Sequence, residues 1–348
     1  MEQRRLDQIV SLALEVTSYC NIKCPQCGRT NVNGMFNDEY LTLKHWQVDK
    51  ILPNFEIEKL KNLQYVRIEG DNGDAFMHPC VMEIIDYFYN APSQPNIIMF
   101  TNGSMRSTNW WADLGRKYPD RLVVQFSIDG LDDTNPMYRV GSDYNKIVSN
   151  ATAFIRGGGI ATTRAIIFKH NEHQLEEIHN AARAIGFKQL VMIVNDQARF
   201  WTGEFYEVYN NNVKLYNLYP TSLAQKDLDP YCYKNHSIQS YFPKFKVDSE
   251  FICPTVASGE LTVTYLGHII PCCMVNSDYD FKASQNDFWR EIVGNRSQVD
   301  LHRRRLGEIL IDPAFYHHRL EQTLRGSVQH HRCSANCGDA IASALANH

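Results

Sequence analysis

The strongest constraint on the fold is a regular alternation of apolar runs and amphipathic segments across the first two hundred residues. The apolar runs have the length of buried strands, and the segments between them have the periodicity and length of helices. Because a crossover helix joins strands that run in the same direction, this alternation predicts a parallel sheet with helices packed outside it. The predicted strands are residues 10–16, 65–69, 96–101, 122–128, 161–168 and 190–194, and the predicted helices are 43–52, 80–89, 110–117, 144–156 and 174–185.

Six strands joined in this way form either an open doubly wound sheet or a partial barrel. In both architectures the side chains that carry out chemistry follow the carboxyl ends of the strands. The loops directly after the predicted strands are therefore the places where a functional site is expected.

The composition excludes several classes of protein. The 348 residues are 44% hydrophobic and 21% charged with a net charge of −4, which is typical of a folded globular chain. This charge gives no reason to expect a nucleic-acid partner, and no apolar segment approaches the length that crosses a membrane. The apolar run near the N-terminus is too short for a signal peptide, so a cytoplasmic location is expected. Ten cysteines in such a chain favour metal binding or redox chemistry over disulfide bonds.

Three cysteines, Cys20, Cys24 and Cys27, lie on one short loop after the first predicted strand. Thiolates are soft ligands that suit iron–sulfur clusters and zinc. Three thiolates bind three irons of a four-iron cluster and leave the fourth iron open to an external ligand. A zinc site completed by a histidine or a distant cysteine is the alternative, but zinc loops usually carry cysteine pairs separated by two residues. The spacing of three residues and then two therefore favours the cluster.

This spacing resembles the signature of the radical S-adenosylmethionine (SAM) superfamily, and the resemblance covers about residues 10–195. It implies a partial (β/α)6 TIM-like barrel in which SAM binds the open iron of a [4Fe-4S] cluster. It also implies that an electron, supplied by an external donor, cleaves SAM to a 5′-deoxyadenosyl radical that abstracts hydrogen from a substrate.

Seven further residues match the superfamily after strands two to four. The turn after strand two corresponds to a Gly-Gly-Glu-Pro-like turn that receives the SAM amino group, and Arg139 corresponds to an arginine on the SAM carboxylate. A guanidinium suits that role because it pairs well with a carboxylate. Two positions depart from the pattern, since Gln26 replaces an aromatic residue that packs on adenine and Asp74-Ala75 replaces Glu-Pro. The implied SAM contacts are Gly70, Gly73, Asp74, Asn102, Ser127, Asp129 and Arg139.

The remainder of the chain follows a different pattern. The segment after the core is rich in aromatic residues and is interpreted as an irregular packing connector, with the wall of a substrate groove as the alternative. A β-hairpin is predicted from residues 260–265 and 268–271, and a helical stretch at about 287–324. The predicted domains are a core at 1–199, the connector at 200–250 and a C-terminal domain at 251–348.

A second set of cysteines lies in this C-terminal domain. Cys253 and Cys272 flank the predicted hairpin, and Cys333 and Cys337 follow the helical stretch. A hairpin brings its open ends together, so these four thiolates are able to close one metal site. The arrangement resembles the twitch or SPASM-like domain of radical SAM enzymes, which holds an auxiliary [4Fe-4S] cluster. Cys273 is an alternative ligand to Cys272, and a structural zinc is the alternative to the second cluster.

The sequence leaves three hypotheses of function. The favoured one is a radical SAM enzyme that modifies a ribosomally made peptide by crosslinking, epimerisation or backbone excision. Because the first strand begins close to residue 1, such a substrate requires direct contacts or a separate leader-peptide-binding protein. The second is a radical SAM dehydrogenase of a small molecule such as a sugar or aminocyclitol. The third, a remote alternative, is a non-enzymatic scaffold that binds zinc.

Overall fold

The structure, a computed structural model, describes residues 5–38, 41–195, 204–235, 259–270 and 296–312. Six strands follow one another in the chain, and each pairs in parallel with the next. Every one of them lies within two residues of a predicted strand, so the predicted parallel sheet is confirmed. These strands are β1 (Ser11–Leu14), β2 (Tyr65–Ile68), β3 (Asn96–Thr101), β4 (Leu122–Ser127), β5 (Ile160–Ile167) and β6 (Gln189–Val194).

Helices cross between these strands, and local sequence sets their ends. The first helix begins at Val48 rather than residue 43, because the amide of Trp46 donates to the Val16 carbonyl instead of entering a helix. Asp143 caps another helix by accepting from the amide of Lys146, and Gly186 ends the last one in a left-handed conformation. No described helix is long and apolar enough to cross a membrane. The helices are α1 (Val48–Asn54), α2 (Val81–Tyr89), α3 (Thr108–Lys117), α4 (Asn135–Tyr138), α5 (Tyr144–Arg156) and α6 (Leu175–Ile185).

A β-hairpin follows the core, so the described part of the predicted connector is not irregular throughout. It consists of β7 (Tyr206–Asn210) and β8 (Val213–Leu218), which pair antiparallel. The turn residues Asn211 and Asn212 both have positive φ angles, as the tight turns of hairpins require. A short helix, α7 (Gln225–Leu228), comes next.

Three further strands extend both edges of the core sheet. β9 (Tyr233–Lys234) pairs antiparallel with β6, and β10 (Glu260–Val263) pairs in parallel with β1. β11 (Ile269–Ile270) completes the predicted hairpin with β10. The resulting order is β11-β10-β1-β2-β3-β4-β5-β6-β9. The hairpin therefore continues the core sheet on the side of β1.

The described part of the predicted helical stretch at 287–324 is interrupted. A 3₁₀ turn at Arg296–Gln298 and helix α8 (Leu306–Ile311) are separated by a loop. In that loop the Asp300 carboxylate accepts from the backbone amide of His302 at 2.9 Å, and Asp300 forms a β-bridge with His268. These bonds hold the backbone in a loop, so one continuous helix is wrong for this part of the chain.

The outer face of the sheet forms the hydrophobic core. Alternate residues of a strand point to the same face, and the outward set is mostly apolar, with Thr101 and Thr163 as buried exceptions. Helix residues such as Trp111 and Phe154 cover these side chains and are fully buried themselves. The outer set, at most 1% exposed, includes Leu12, Leu14, Val66, Ile68, Ile97, Met99, Val124, Phe126, Ala161, Ala165, Leu190 and Met192.

The inner face carries most of the polar side chains of the sheet. Arg67 lies between two acids there, with its Nη2 2.7 Å from Glu260 Oε2 and its Nε 3.1 Å from Glu69 Oε1. The inner positions of β4 and β5, which include Gln125 and Arg164, carry neutral or basic side chains. Most of these side chains are partly open to solvent. The polar inner set includes Ser11, Glu15, Arg67, Glu69, Gln125, Ser127, Thr162, Arg164, Glu260 and Thr262.

Candidate functional site

The three predicted cluster ligands lie on the loop that follows β1. Cys24 is buried, Cys20 and Cys27 are half-buried, and none forms a disulfide bond. The amide of Cys27 donates to the Cys24 carbonyl, and the amide of Lys23 donates to the Val140 carbonyl. These bonds curl the loop and attach it to the segment after α4.

The three thiols lie close enough together to influence one another's ionisation. Burial, reinforced by the charge of Asp74, raises the pKa of Cys20 to about 12. Burial also raises the pKa of Cys24 to about 11, although the guanidinium of Arg139 opposes this rise. The pKa of Cys27 is raised for the same reason, and each thiol feels the charge of another of the three. The raised pKa values keep the thiols protonated at neutral pH even with Arg139 beside Cys24, and a bound metal cluster would supply the charge that forms thiolates.

Each thiol contacts a residue from a different loop of the sheet's connections. Asn102, after β3, places its Nδ2 3.6 Å from Cys20 Sγ, and Arg139 places its Nη1 3.7 Å from Cys24 Sγ. The thiol of Cys27 lies 4.0 Å from the backbone carbonyl of Asp71, which follows β2. The loop is thus framed by residues after the carboxyl ends of β2 and β3, where this kind of sheet carries its functional side chains, and by Arg139 after α4.

This donor set fits a four-iron cluster. Each thiolate binds a different iron, so the sulfurs spread around the cluster instead of converging on a point. No group of three His, Cys, Asp or Glu side chains within the described ranges is arranged to hold a metal ion. Hydrogen-bond donors beside two of the sulfurs also suit thiolate ligands, because they stabilise negative charge on sulfur. The assignment of Cys20, Cys24 and Cys27 to a cluster stays a prediction.

The turn after β2 packs tightly against the backbone that leads to the cysteine loop. A Cβ atom on Gly73 would lie 2.3 Å from the Thr17 carbonyl oxygen and 2.8 Å from that of Tyr19, so only glycine fits. The amide of Asp74 also donates to the Tyr19 carbonyl at 2.8 Å. Gly70 lies in the same turn, and its Cβ would be 3.3 Å from the Gly73 carbonyl oxygen. The predicted SAM-binding turn is therefore fixed beside the cysteines.

The carboxylate of Asp74, predicted to bind the SAM amino group, accepts hydrogen bonds from three groups of the protein. Its carboxylate accepts from the hydroxyl of Thr101 at 2.9 Å, from the amide of Asn102 at 2.8 Å and from the amide of Phe76 at 3.0 Å. Burial nevertheless raises its pKa. In this structure Asp74 ties the turn after β2 to the end of β3, which leaves the backbone carbonyls of the turn as the groups available to an amino group.

Sequence reasoning missed Glu15, which binds the backbone of the same turn. Its carboxylate, 2% exposed, accepts from the amides of Asp71 at 3.1 Å and Asn72 at 3.2 Å. Burial and the charges of Asp71 and Glu69 raise its pKa well above the ordinary value. The signal in the sequence was an acid inside the first predicted strand, at a position that would otherwise be apolar.

Asn102 connects the end of β3 to the cysteine loop. Its Nδ2 donates to Asn21 Oδ1 at 3.0 Å as well as approaching Cys20, and its Oδ1 accepts from the amide of Ser104 at 2.9 Å. The side chain of Asn21 in turn donates to the Ser104 hydroxyl at 2.8 Å. The predicted Thr-Asn-Gly turn is thus brought to the site, with Asn102 bridging two loops.

Asp129 and Arg139 form the most buried ion pair of the site. Arg139 Nε lies 2.5 Å from Asp129 Oδ2, while Asp129 Oδ1 accepts from the amide of Ile166 at 2.7 Å. Asp129 is fully buried, so its carboxylate orients Arg139 and has no free face for a cofactor. Burial lowers the pKa of Arg139, but the charges of Asp129 and Cys24 outweigh this and raise it. Ser127, the last residue of β4, is half-buried on the inner face.

The β7–β8 hairpin covers the cysteine loop, which the sequence did not predict. Val208 and Leu218 pack in one buried cluster with Cys24. Tyr216 donates its hydroxyl to the Met137 carbonyl at 2.6 Å, and Lys23 Nζ lies 2.6 Å from Asn211 Oδ1. We call residues 206–218 the clasp. Three consecutive asparagines between alternating apolar residues were the available signal for its turn.

The remaining cysteines divide into two groups. Cys80 and Cys232, interpreted from the sequence as buried apolar residues, are partly buried and pack against the main core. Cys232 Sγ also accepts from the amide of Met192 at 3.2 Å. The predicted auxiliary ligands lie outside the described residues, as does the alternative ligand: Cys253, Cys272, Cys333, Cys337 and Cys273.

Comparisons with known proteins identify the fold. No protein-family model and no curated protein matches the chain. SuiB of Streptococcus suis bound to S-adenosylmethionine matches with a TM-score of 0.61 and 12% identity, covering 96% of this chain and 71% of its own. SuiB bound to precursor peptide SuiA matches with a TM-score of 0.58 and 14% identity, covering 98% and 72%. Native anSMEcpe with bound AdoMet and the Cp18Cys peptide matches with a TM-score of 0.53 and 15% identity, covering 95% and 87%.

SuiB and anSMEcpe are radical SAM enzymes, and the likeness extends over nearly the whole of this chain. The six parallel strands in sequence order agree with their TIM-like architecture. The chain therefore has a radical SAM fold, and the predicted fold class of the core is confirmed.

Proposed function

We propose that this protein is a radical SAM enzyme, which reductively cleaves SAM and uses the resulting 5′-deoxyadenosyl radical to abstract hydrogen from a substrate. The observation that carries the proposal is the cysteine loop itself. Three thiols with the superfamily spacing lie after β1 of a radical SAM fold, and they contact Asp71 after β2, Asn102 after β3 and Arg139 after α4.

The residues of the site have separate roles in this proposal. Cys20, Cys24 and Cys27 hold a [4Fe-4S] cluster, which supplies the electron that cleaves SAM. The backbone of the Gly70–Asp74 turn, fixed by Glu15, receives the SAM amino group. Arg139, held by Asp129 beside Cys24, is oriented to meet the SAM carboxylate. The clasp limits the access of water to the cysteine loop.

We favour a ribosomally made peptide as the substrate, modified by crosslinking, epimerisation or backbone excision. The support is that SuiB and anSMEcpe, which share this fold, have structures with a bound peptide. A separate leader-peptide-binding protein and an external electron donor belong to the same proposal.

We also propose a second [4Fe-4S] cluster on Cys253, Cys272, Cys333 and Cys337 in a twitch or SPASM-like domain, with Cys273 as the alternative to Cys272. A closed four-thiolate cluster near the substrate is suited to accept an electron after hydrogen abstraction. The β10–β11 hairpin supports this arrangement, because it lies between Cys253 and Cys272 in the chain and directly beside β1.

Anaerobic reconstitution followed by metal analysis tests both cluster proposals. We expect about eight irons per chain for two four-iron clusters, and reduction with dithionite should release 5′-deoxyadenosine from SAM. Replacing Cys20, Cys24 and Cys27 by Ala should remove about half of the iron and abolish SAM cleavage. Cys80→Ala is the matched control, because this cysteine packs against the core and should change neither quantity.

The variant Cys333→Ala separates the two clusters. It should also lose about half of the iron while it retains some SAM cleavage that is not coupled to product. Zinc in place of iron in the wild type, or undiminished SAM cleavage in the triple variant, would refute the assignment.

A further inference from the structure

Arg164 is a basic side chain of the inner face that the cofactor site does not use. It lies in β5, opposite Ser127 of β4 and Val191 of β6. Its inner orientation follows from strand alternation, since its neighbours Thr163 and Ala165 point into the buried outer core. The Arg164 side chain is exposed, whereas most of the surrounding sheet is buried. The guanidinium thus stands in the open part of the inner face.

This guanidinium has no carboxylate partner within the described residues. Asp129 is the nearby acid that affects its pKa, but Asp129 already binds Arg139 and the amide of Ile166. Partial removal of water by the surrounding protein lowers the pKa of Arg164, and the neighbouring charge of Arg139 acts in the same direction. The carboxylate nearest to Arg164 is therefore already engaged by Arg139.

Charge is divided unequally across the inner face. Among the described residues, the half formed by β10, β1 and β2 carries three acidic side chains and one guanidinium: Glu260 in β10, Glu15 and Glu69 directly after β1 and β2, and Arg67 in β2. Strands β3 to β6, as described, carry no carboxylate at their inner positions, where Arg164 is the charged group. Its inner neighbours Gln125, Ser127 and Thr162 are neutral side chains that can donate hydrogen bonds. The half of the inner face formed by β3 to β6 is therefore suited to bind a ligand with one negative charge.

From this placement we propose that Arg164 binds a carboxylate of the substrate and so determines substrate specificity. The inference rests on the proposed function, because it names the chemical class of the molecule on which the enzyme acts. A guanidinium pairs with a carboxylate through two parallel hydrogen bonds, and the neutral side chains around Arg164 offer no competing negative charge. A single guanidinium matches the single charge of a carboxylate better than the double charge of a phosphate. The carboxylate belongs either to an acidic residue of a peptide or to a small acid, and both sources share this chemistry.

Binding of matched probes to the reconstituted, SAM-loaded protein tests the inference. The peptide probes are acetyl-glutamate amide and its neutral counterpart acetyl-glutamine amide, and the small-acid probes are glucuronate and glucose. Calorimetry or saturation-transfer NMR should show that the wild type prefers the acid of at least one pair by about tenfold, as a charge-assisted hydrogen bond provides. The pair that shows the preference identifies the source of the carboxylate.

In Arg164→Gln the preference for the acid should disappear, whereas Arg164→Lys should retain part of it. Arg156→Gln, an exposed arginine at the end of α5, is the control and should leave the preference unchanged. Equal preference in wild type and Arg164→Gln would overturn the inference. Weaker binding of SAM itself in Arg164→Gln would also overturn it, because Arg164 would then belong to the cofactor site.

SAM cleavage is measured on the same samples so that the two proposals fail separately. If the wild type does not cleave SAM but the acid preference depends on Arg164, the proposed function fails and the carboxylate site stands. If SAM is cleaved and the preference is absent or does not depend on Arg164, the carboxylate site fails and the proposed function stands.

Discussion

The two faces of the central sheet are built from alternate residues of the same strands. The outer face carries buried apolar side chains, whereas the inner face carries polar side chains that are partly open to solvent. On the outer face, Val124 and Phe126 are fully buried among helix side chains. On the inner face, Gln125 and Ser127 remain partly open, and the guanidinium of Arg164 stands beside them. Neighbouring residues of one strand therefore serve different purposes: those that point outward stabilise the fold, and those that point inward form the site. Substitutions on the outer face should then change the free energy of unfolding, and those on the inner face should change the site.

The largest effect on stability is expected from Phe154→Ala on the outer side. Phe154 of α5 is fully buried against Trp111 and Phe126, and Gly159 leaves just enough room for its ring. Removing a buried ring of this kind costs about 3–5 kcal/mol. Urea unfolding measures the loss, and SAM cleavage per folded molecule should not change.

The control for this substitution is Lys146→Ala, an exposed position on the same helix whose unfolding free energy should stay within about 0.5 kcal/mol of the wild type. A drop in SAM cleavage by folded Phe154→Ala would break the separation of the two faces.

Asp129→Asn should change both the free energy of unfolding and the rate of SAM cleavage. The amide still accepts from Ile166, but Arg139 loses its charged partner, and a buried arginine without a partner costs about 3 kcal/mol. Because Arg139 is also the side chain beside Cys24, SAM cleavage should fall at least about tenfold, as expected when a positioning contact is lost. Unfolding and initial rates measured on the same preparation check both effects.

Asp143→Asn is the matched control, since asparagine caps α5 as well as aspartate does. Unchanged cleavage in Asp129→Asn would show that the pair is structural and that Arg139 does not need it at the site.

The sequence predicted the parallel core well because local patterns determine it. Strands covered by helices are continuous apolar runs, and helices such as α5 carry their own start signal in Asp143. The cysteine spacing is equally local, so the amino-acid sequence alone was enough to single out the candidate ligands.

Contacts between distant residues were not predictable in this way. The pairing of β10 with β1 joins residues about 250 positions apart, and no local pattern specifies which edge of the sheet a hairpin joins. The roles of Asp74 and Glu15 depend on backbone amides brought to them by the fold. Sequence reasoning therefore located the site, while the division between residues that hold it and residues that face a ligand required the structure.

The inner face should also carry a pH dependence that the outer face lacks. Burial raises the pKa of Glu69 from 4.5 to about 7, with Arg67 opposing the rise. The folded protein therefore holds a proton on Glu69 that the unfolded chain loses at lower pH. Stability from this group is complete below pH 4.5 and is lost as the pH rises to about 7, a change of about 3 kcal/mol.

Urea unfolding of wild type and Glu69→Gln at about pH 5 and about pH 7.5 measures this dependence. The variant should be the less pH-sensitive protein, and Glu176→Gln, an exposed position on α6, should behave like the wild type. A wild type whose excess stability over Glu69→Gln increases with pH would contradict the sign of the shift.

The smallest effect tests the clasp, which shields the cysteine loop without belonging to either face. Tyr216→Phe removes the hydrogen bond to the Met137 carbonyl, which is worth about 1 kcal/mol. If this bond holds the clasp over Cys24, local opening should become about fivefold more frequent, and alkylation of Cys24 in the cluster-free protein should accelerate by the same factor. Mass spectrometry of the labelled peptide resolves Cys24 from its neighbours.

Tyr209→Phe is the matched control, because the Tyr209 hydroxyl bonds to Glu207 within the clasp. Equal labelling rates in both variants would show that the Tyr216 hydrogen bond does not hold the clasp over Cys24.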